Sequence, residues 1–275
     1  MPANIVGAGL GLRRGYMKTL DENAELVASV VDFMEVAPEN WIGVGGRFGR
    51  RFRAYTERFP FVCHGLSLSV GGPSPLDMDL LAAIKQFLDD HQIACYTEHL
   101  SACSDTGHLY DLMPIPFTGD AVRYVANRIR RVQDVLERQI GIENVSYYAA
   151  PQVSDEGMSE LEFINAVVDE ADCLLLLDVN NIYVNSVNFG YDPSAFLRGL
   201  PGDRAAYFHV AGHYREAEDL RIDTHAAKVI DPVWELLEAA YDLYGPLPTL
   251  LERDFNFPPF SRLMDEVETI RRIQA

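Results

Sequence analysis

Histidines and carboxylates recur in this chain at the ends of short apolar runs. Glu35 and Glu39 follow the run that starts at Phe33, His64 lies in the run from Phe61, and Glu98-His99 closes the run from Ile93. Glu143-Asn144, then Asp178 with Asn180 and Asn181, then His209 with His213 four residues on, continue the series. Asp223-Thr224-His225 and Glu252-Arg253-Asp254 complete it. Five of the seven histidines belong to this set, too many for unrelated core residues and caps. Brought to one place, these acids and imidazoles repel one another and lose hydration. Divalent cations are the ordinary remedy. No cysteine belongs to the set, so an oxygen and imidazole site suited to Fe(II), Mn(II) or Zn(II) is expected, not a structural thiolate zinc site. Asp223 and His225 are two apart, so in extended chain both point the same way, as two ligands of one ion need.

The elements that must position these residues alternate regularly. Strand-like runs occupy 5–11, 33–37, 61–67, 93–99, 140–145, 174–179, 205–210 and 249–252. Helical patterns fall at 21–31, 50–59, 77–91, 119–139, 159–170, a short stretch opened by Asp192-Pro193, 232–244 and 260–273. The runs are short and mostly apolar, as strands covered on both faces are. Eight βα units predict an α/β fold, a (β/α)8 TIM barrel, built as one domain over 1–275. A doubly wound sheet fits less well, because Gly9-Leu10-Gly11 lacks the third glycine of a nucleotide turn: position 14 is Arg. The segment 105–118, with Leu112-Met-Pro-Ile-Pro-Phe117, has no helical pattern and reads as a long βα loop. It is either a lid or partner-contact surface, or a loop packed on the barrel mouth.

The chain has 23 Lys and Arg against 41 Asp and Glu, a formal net charge of −18. Such a surface repels phosphate backbones and anionic lipid, so no nucleic-acid or membrane partner is expected. The longest apolar run, 173–177, is too short to span a bilayer. Residues 1–14 lack the basic start of a secretory signal, and Cys63, Cys95, Cys103 and Cys173 are scattered. Reduced, buried thiols in a cytoplasmic protein are the expectation.

The motifs Gly9-Leu-Gly-Leu-Arg-Arg14, Met34-Glu-Val-Ala-Pro-Glu-Asn-Trp41, His64-Gly-Leu-Ser-Leu-Ser69, Thr97-Glu-His-Leu-Ser101 and Ile142-Glu-Asn-Val-Ser146 occur in order. Leu177-Asp-Val-Asn-Asn181, His209-Val-Ala-Gly-His213, Asp223-Thr-His225 and Leu251-Glu-Arg-Asp254 follow. Together they resemble the DUF692 (UPF0276) family of multinuclear non-heme iron-dependent oxidative enzymes, related to the methanobactin-forming oxidase. The resemblance spans nearly the whole chain. It implies a TIM barrel of the xylose-isomerase-like and AP-endonuclease-like superfamily, two or three irons of mixed Fe(II)/Fe(III) state, and O2 as co-substrate. It also implies a Cys-containing ribosomally made precursor peptide as substrate, and a small partner protein that recruits it. The expected reaction is a two- or four-electron oxidation of a peptidyl Cys that begins at a β-hydrogen.

Carried over by position, the resemblance implies that His64, His99 and Glu143 hold one ion. Glu143, Asp178, His209 and Glu252 would hold the second, with Glu143 bridging, and Asp223 and His225 the third, with Asn181 a further candidate ligand beside them. Endonucleases of the superfamily complete that third site with a His at the position of Asn181. The departure leaves two-iron and three-iron forms both open and argues against a three-zinc phosphodiesterase. His213 is then a candidate for proton transfer or for supporting a ligand, and Asn144, Tyr147 and Asn180 for hydrogen bonds to substrate. Arg13 and Arg14 are expected to pair with nearby acids. The alternative is a divalent-metal sugar isomerase or hydrolase on the same barrel, but Lys18, Lys85 and Lys228 all lie away from the strand ends. A non-catalytic adaptor or metal store would instead consume no O2 and tolerate loss of Asp178.

Overall fold

The computed structural model describes residues 5–105, 107–151 and 157–275. Eight parallel strands close into a barrel in which each pairs with its sequence neighbours and the last pairs with the first. They are β1 (Ala8–Gly11), β2 (Phe33–Val36), β3 (Phe61–Gly65), β4 (Tyr96–His99), β5 (Gly141–Glu143), β6 (Leu174–Asp178), β7 (Ala205–Ala211) and β8 (Thr249–Glu252). Every residue of these strands is buried except His99 and Leu174, which are partly so.

The helices form the outer layer: α1 (Met17–Glu22), α2 (Ala24–Val30), α3 (Gly46–Thr56), α4 (Met78–Asp90), α5 (Gly119–Leu136), α6 (Glu160–Ala171), α7 (Val179–Phe189), α8 (Pro193–Gly199), α9 (Asp231–Tyr244) and α10 (Phe260–Gln274). Their starts are written in the sequence. Asp77 caps α4, Thr118 caps α5, Ser159 and Glu162 form a capping box on α6, and Asp192 caps α8 ahead of Pro193. Each core-facing stripe packs on the outer face of the barrel, with Ile84, Ile129, Val167, Leu237 and Val267 all fully buried there.

Side chains alternate along each strand, so residues two apart share a face. On the inner face a floor is built from Phe33, Val62, Cys95, Leu176, Tyr207 and Leu250. Two residues further up come Glu35, His64, Thr97, Asp178, His209 and Glu252. The inner assignment is direct for Glu35: from β2 it bonds to Tyr207 and His209 on β7, three strands away, so these side chains cross the interior. Gly9 makes room for the floor, because a Cβ there would fall 2.5 Å from the Phe33 ring.

Between β4 and α5 no helix forms among the described residues, as the sequence pattern suggests, and His108–Met113 pairs antiparallel with Ala102–Ser104. One segment differs from the sequence expectation. The run after Asp178 turns at once into α7, although its Val and Asn residues are weak helix formers. Asp178 caps the helix, and Val179, Ile182 and Val184 are fully buried, so packing overrides propensity. A hairpin, His213–Arg215 with Arg221–Asp223, follows β7. Among the described residues no helix is long and apolar enough to cross a membrane.

Candidate metal centre

The upper ends of β3 to β8 deliver one continuous cluster. His64 Nε2 lies 3.2 Å from Glu143 Oε2 and 3.1 Å from His99 Nε2, and His99 Nε2 lies 3.4 Å from Glu143 Oε2. On the other side, His209 Nδ1 lies 3.4 Å from Glu143 Oε1, 3.2 Å from Glu252 Oε2 and 3.9 Å from Asp178 Oδ2. Two ligand groups result, His64 with His99 and Glu143, and Glu143 with Asp178, His209 and Glu252, each with ligand atoms within 4.8 Å of one another. Glu143 belongs to both and turns one oxygen to each. Asp223 and His225 adjoin them: His225 Nε2 lies 2.9 Å from Asp223 Oδ1 and 3.5 Å from Glu252 Oε2.

The chain does not run extended through this last pair, as the sequence spacing suggested. His225 adopts a left-handed conformation (φ 48°) just after the hairpin, and that turn swings its ring back onto Asp223. Asp254 accepts from the outer nitrogen, His225 Nδ1, at 3.1 Å. Outer partners orient the other imidazoles too. His99 Nδ1 donates to the Gly65 carbonyl at 2.9 Å, and His64 Nδ1 meets Thr97 Oγ1 at 2.8 Å.

The cluster is incomplete on its own terms. Asp178 Oδ2, His209 Nδ1, Glu252 Oε2 and the Asn181 carbonyl oxygen are buried and have no hydrogen-bond partner. Buried polar atoms without partners are costly and rare, and three of these lie in one ligand group. The charges point the same way. Burial favours the neutral form of Glu143, but the His64, His209 and His99 imidazoles outweigh it and hold its carboxyl well below the usual range. Glu252 is lowered likewise against its burial, by His209 and His225. Asp178 goes the opposite way, raised by burial and by the Glu143 charge. Burial opposes charging of His99, yet Glu98 and Glu143 push it up to about 9. Without an ion, protons supply the positive charge; carboxylate and imidazole donors of this kind fit a divalent first-row metal that displaces them.

The remaining predicted residues have other partners. Asn144 accepts from the Asp178 amide and donates to the Asp178 carbonyl, both at 2.9 Å, and so clips β5 to β6. Asn180 is likewise engaged, by His213 at 2.7 Å and Asp223 at 2.9 Å. Tyr147 points elsewhere, donating to Glu160 at 2.9 Å and stacking on Phe189. His213 stacks on Tyr183, and burial together with Arg221 pushes it down to about 4. Arg13 pairs with Asp254 as expected, but among the described residues Arg14 pairs with no acid: it lies over the Trp41 ring, 4.7 Å from the centroid. All four cysteines are buried, and burial raises each thiol, Cys95 and Cys173 to about 12, which disfavours the reactive thiolate.

Sequence reasoning left Glu35, Thr97, Glu98, Tyr207 and Asp254 without assigned roles. Glu35 and Asp254 stood at strand ends and were legible as candidates. Thr97 and Tyr207 had only their phase, two residues before His99 and His209, to mark them.

The family described as "RiPP precursor modification enzyme MbnB/TglH/ChrH" matches residues 7–275. The chain belongs to this family. A UPF0276 protein of Alcanivorax borkumensis is 61% identical to this MbnB/TglH/ChrH chain over 270 residues, 97% of the chain and 90% of the relative. A xylose isomerase domain protein from Alicyclobacillus acidocaldarius superposes with a TM-score of 0.61 at 15% identity, covering 98% of both chains. Endonuclease IV from Thermus thermophilus gives a TM-score of 0.59 at 15% identity, over 98% of this chain and 97% of that one. At such identities the structural likeness is one of fold, and it places the MbnB/TglH/ChrH barrel among xylose-isomerase-like and endonuclease IV-like TIM barrels.

Proposed function

We propose that this protein is a multinuclear non-heme iron oxidase that uses O2 to modify residues, Cys foremost, in a ribosomally synthesised precursor peptide. Membership of a precursor-modification family supports the substrate class. The observation that carries the metal chemistry is Glu143, whose two oxygens face two separate groups of ligand atoms. Bound iron would supply electrons for O2 reduction and the acidity that deprotonates a substrate thiol at neutral pH.

The chain's own residues do the rest. His64, His99 and Glu143 would hold one ion, and Glu143, Asp178, His209 and Glu252 the second. Asp223 and His225 stand ready for a third, with Glu252 linking them to the second. His213 is held neutral by burial and by Arg221 and bonded to Asn180, which also holds Asp223. We assign it to steadying Asp223 rather than to donating protons. Glu143, Asp178, His209 and Glu252 are buried, whereas His99, Asp223 and His225 keep partial exposure, which leaves a way in for substrate.

An isomerase reading is disfavoured, because a lysine at the mouth is wanting. Lys18 pairs with Glu22 and Lys85 with Glu137, both on helices, and Lys228 is exposed. The peptide and a small recruiting protein are sought in adjacent reading frames, as a short Cys-containing precursor and its partner. The test is O2 consumption by iron-loaded protein with that peptide, and mass change of the peptide. His64→Ala and Glu252→Ala should each lose metal and activity together. Full activity with normal metal content in either variant contradicts the ligand assignment.

A further inference from the structure

An unbroken, buried hydrogen-bond chain runs beneath the cluster and joins an imidazole of one ligand group to an imidazole of the other. His64 Nδ1 lies 2.8 Å from Thr97 Oγ1, and Thr97 Oγ1 lies 2.9 Å from the Tyr207 hydroxyl. That hydroxyl lies 2.7 Å from Glu35 Oε2, which lies 2.9 Å from His209 Nε2. Glu35, Thr97 and Tyr207 are at most 1% exposed, so no water competes for these bonds.

Proton counting orients the chain. As a carboxylate, Glu35 can only accept, so Tyr207 and His209 Nε2–H both donate to it. Tyr207 has then used its one proton and accepts from Thr97, and Thr97 in turn accepts from His64 Nδ1–H. Every link is satisfied, and with both imidazoles neutral, as metal binding requires, the nitrogens left without a proton are His64 Nε2 and His209 Nδ1. These are the nitrogens that face Glu143, at 3.2 Å and 3.4 Å.

We propose that Glu35 is a positioning residue for both metal sites at once. It sets the tautomer and ring orientation of His209 directly, and of His64 through Tyr207 and Thr97, so the two sites are coupled through protein as well as through Glu143. A carboxylate behind a ligand imidazole raises its basicity, and polarisation passes along chains of hydrogen bonds in a low-dielectric interior. The inference rests on the metal-centre reading above.

The test is Zn(II) binding to metal-free protein, measured by competition with a chromophoric chelator. The comparison covers the unsubstituted chain, Glu35→Gln, Tyr207→Phe and the double variant, with thermal unfolding of each metal-free form to confirm that it folds. Supporting partners of metal ligands are typically worth about 10- to 100-fold in affinity. Glu35→Gln should weaken both sites by about tenfold or more. Tyr207→Phe should weaken one site and leave the other within about twofold, because the Glu35 to His209 bond survives. In the Tyr207→Phe background, Glu35→Gln should then weaken one site only.

Nitrogen-15 NMR of Zn(II)-loaded protein labelled at histidine should find His64 protonated at Nδ1 and His209 at Nε2. A merely structural role would lower the unfolding temperature without this site selectivity or these tautomers. Loss confined to one site in Glu35→Gln, strict additivity in the double variant, or the opposite tautomers would overturn the proposal. Failure of the unsubstituted protein to bind Zn(II) or Fe(II) at all would overturn the metal-centre reading instead.

Discussion

Replacing Asp178 with Asn separates a structural role from a metal-binding one, because the two carboxylate oxygens have different surroundings. Oδ1 accepts from the Asn181 amide at 2.6 Å and caps α7, whereas Oδ2 is buried without a partner in the ligand group. An Asn keeps the cap, so the roughly 1 kcal/mol that a lost cap costs is not at stake. It removes the charge. In the metal-free protein that charge is unfavourable: burial and Glu143 raise the Asp178 carboxyl well above its ordinary 3.8. The sign follows from linkage. An acid whose folded value is raised holds its proton more tightly when folded, so it destabilises the fold at pH above its unfolded value. The penalty grows by about 1.4 kcal/mol per pH unit until the folded group ionises. Asp178→Asn should therefore leave the chelator-treated protein at pH 7 at least as stable as the unsubstituted chain. The loaded protein should behave oppositely. With metal 100-fold above its dissociation constant, one site contributes about 2.7 kcal/mol. For a chain of this size that amounts to about 5 to 10 °C in Tm, and the variant should forfeit it. Thermal unfolding by circular dichroism, with chelator and with Fe(II) under anaerobic conditions, reads both effects. A variant markedly destabilised in chelator with an undiminished metal-induced shift would refute the reasoning.

Other consequences are as direct. His99 is raised to about 9, so its proton stabilises the metal-free fold below about 6.5 and that contribution is lost as pH climbs through about 9. Because metal must displace this proton, Zn(II) affinity should keep rising between pH 7 and 9 in chelator competition; a plateau from pH 7 would contradict it. Gly65→Ala would place a Cβ 2.1 Å from Glu98 Oε2 and 2.2 Å from the Tyr96 hydroxyl, both buried, so a loss of about 1 to 3 kcal/mol is expected in denaturant unfolding. Asn144→Ala should cost about 2 kcal/mol in denaturant unfolding through its two lost bonds to the Asp178 backbone; a loss under about 0.5 kcal/mol would contradict the clip.

The barrel was legible because its signal is redundant. Eight short apolar runs and intervening helical stripes predict one topology, and a strand end off by a few residues does not alter it. The candidate cluster was legible for a related reason: His99, Glu143, Asp178, His209 and Glu252 lie at or near the end of a run and His64 within one, on strands whose upper ends face a barrel mouth. Their division among ions came from the family resemblance, not from the run ends. What failed to show was local chemistry that depends on the third dimension. Helix α7 is made of weak helix formers and exists because Asp178 caps it and the barrel buries one side. Asn144, Asn180 and Tyr147 lie beside ligands in sequence, yet their polar groups are taken up by Asp178, by His213 and Asp223, and by Glu160. Conversely Tyr207, a large aromatic residue in an apolar strand, reads as core, and only the fold shows its hydroxyl meeting Glu35 from across the barrel.

The central claim is that two linked groups of protein ligands hold redox-active iron. Anaerobic purification with metal analysis and Mössbauer spectroscopy tests it most directly, with turnover of the peptide followed on the same samples. The account predicts two or more irons per chain, spectra of coupled ferrous and ferric ions, and activity that tracks iron content. Stoichiometric zinc that supports turnover, with iron giving none, would contradict it.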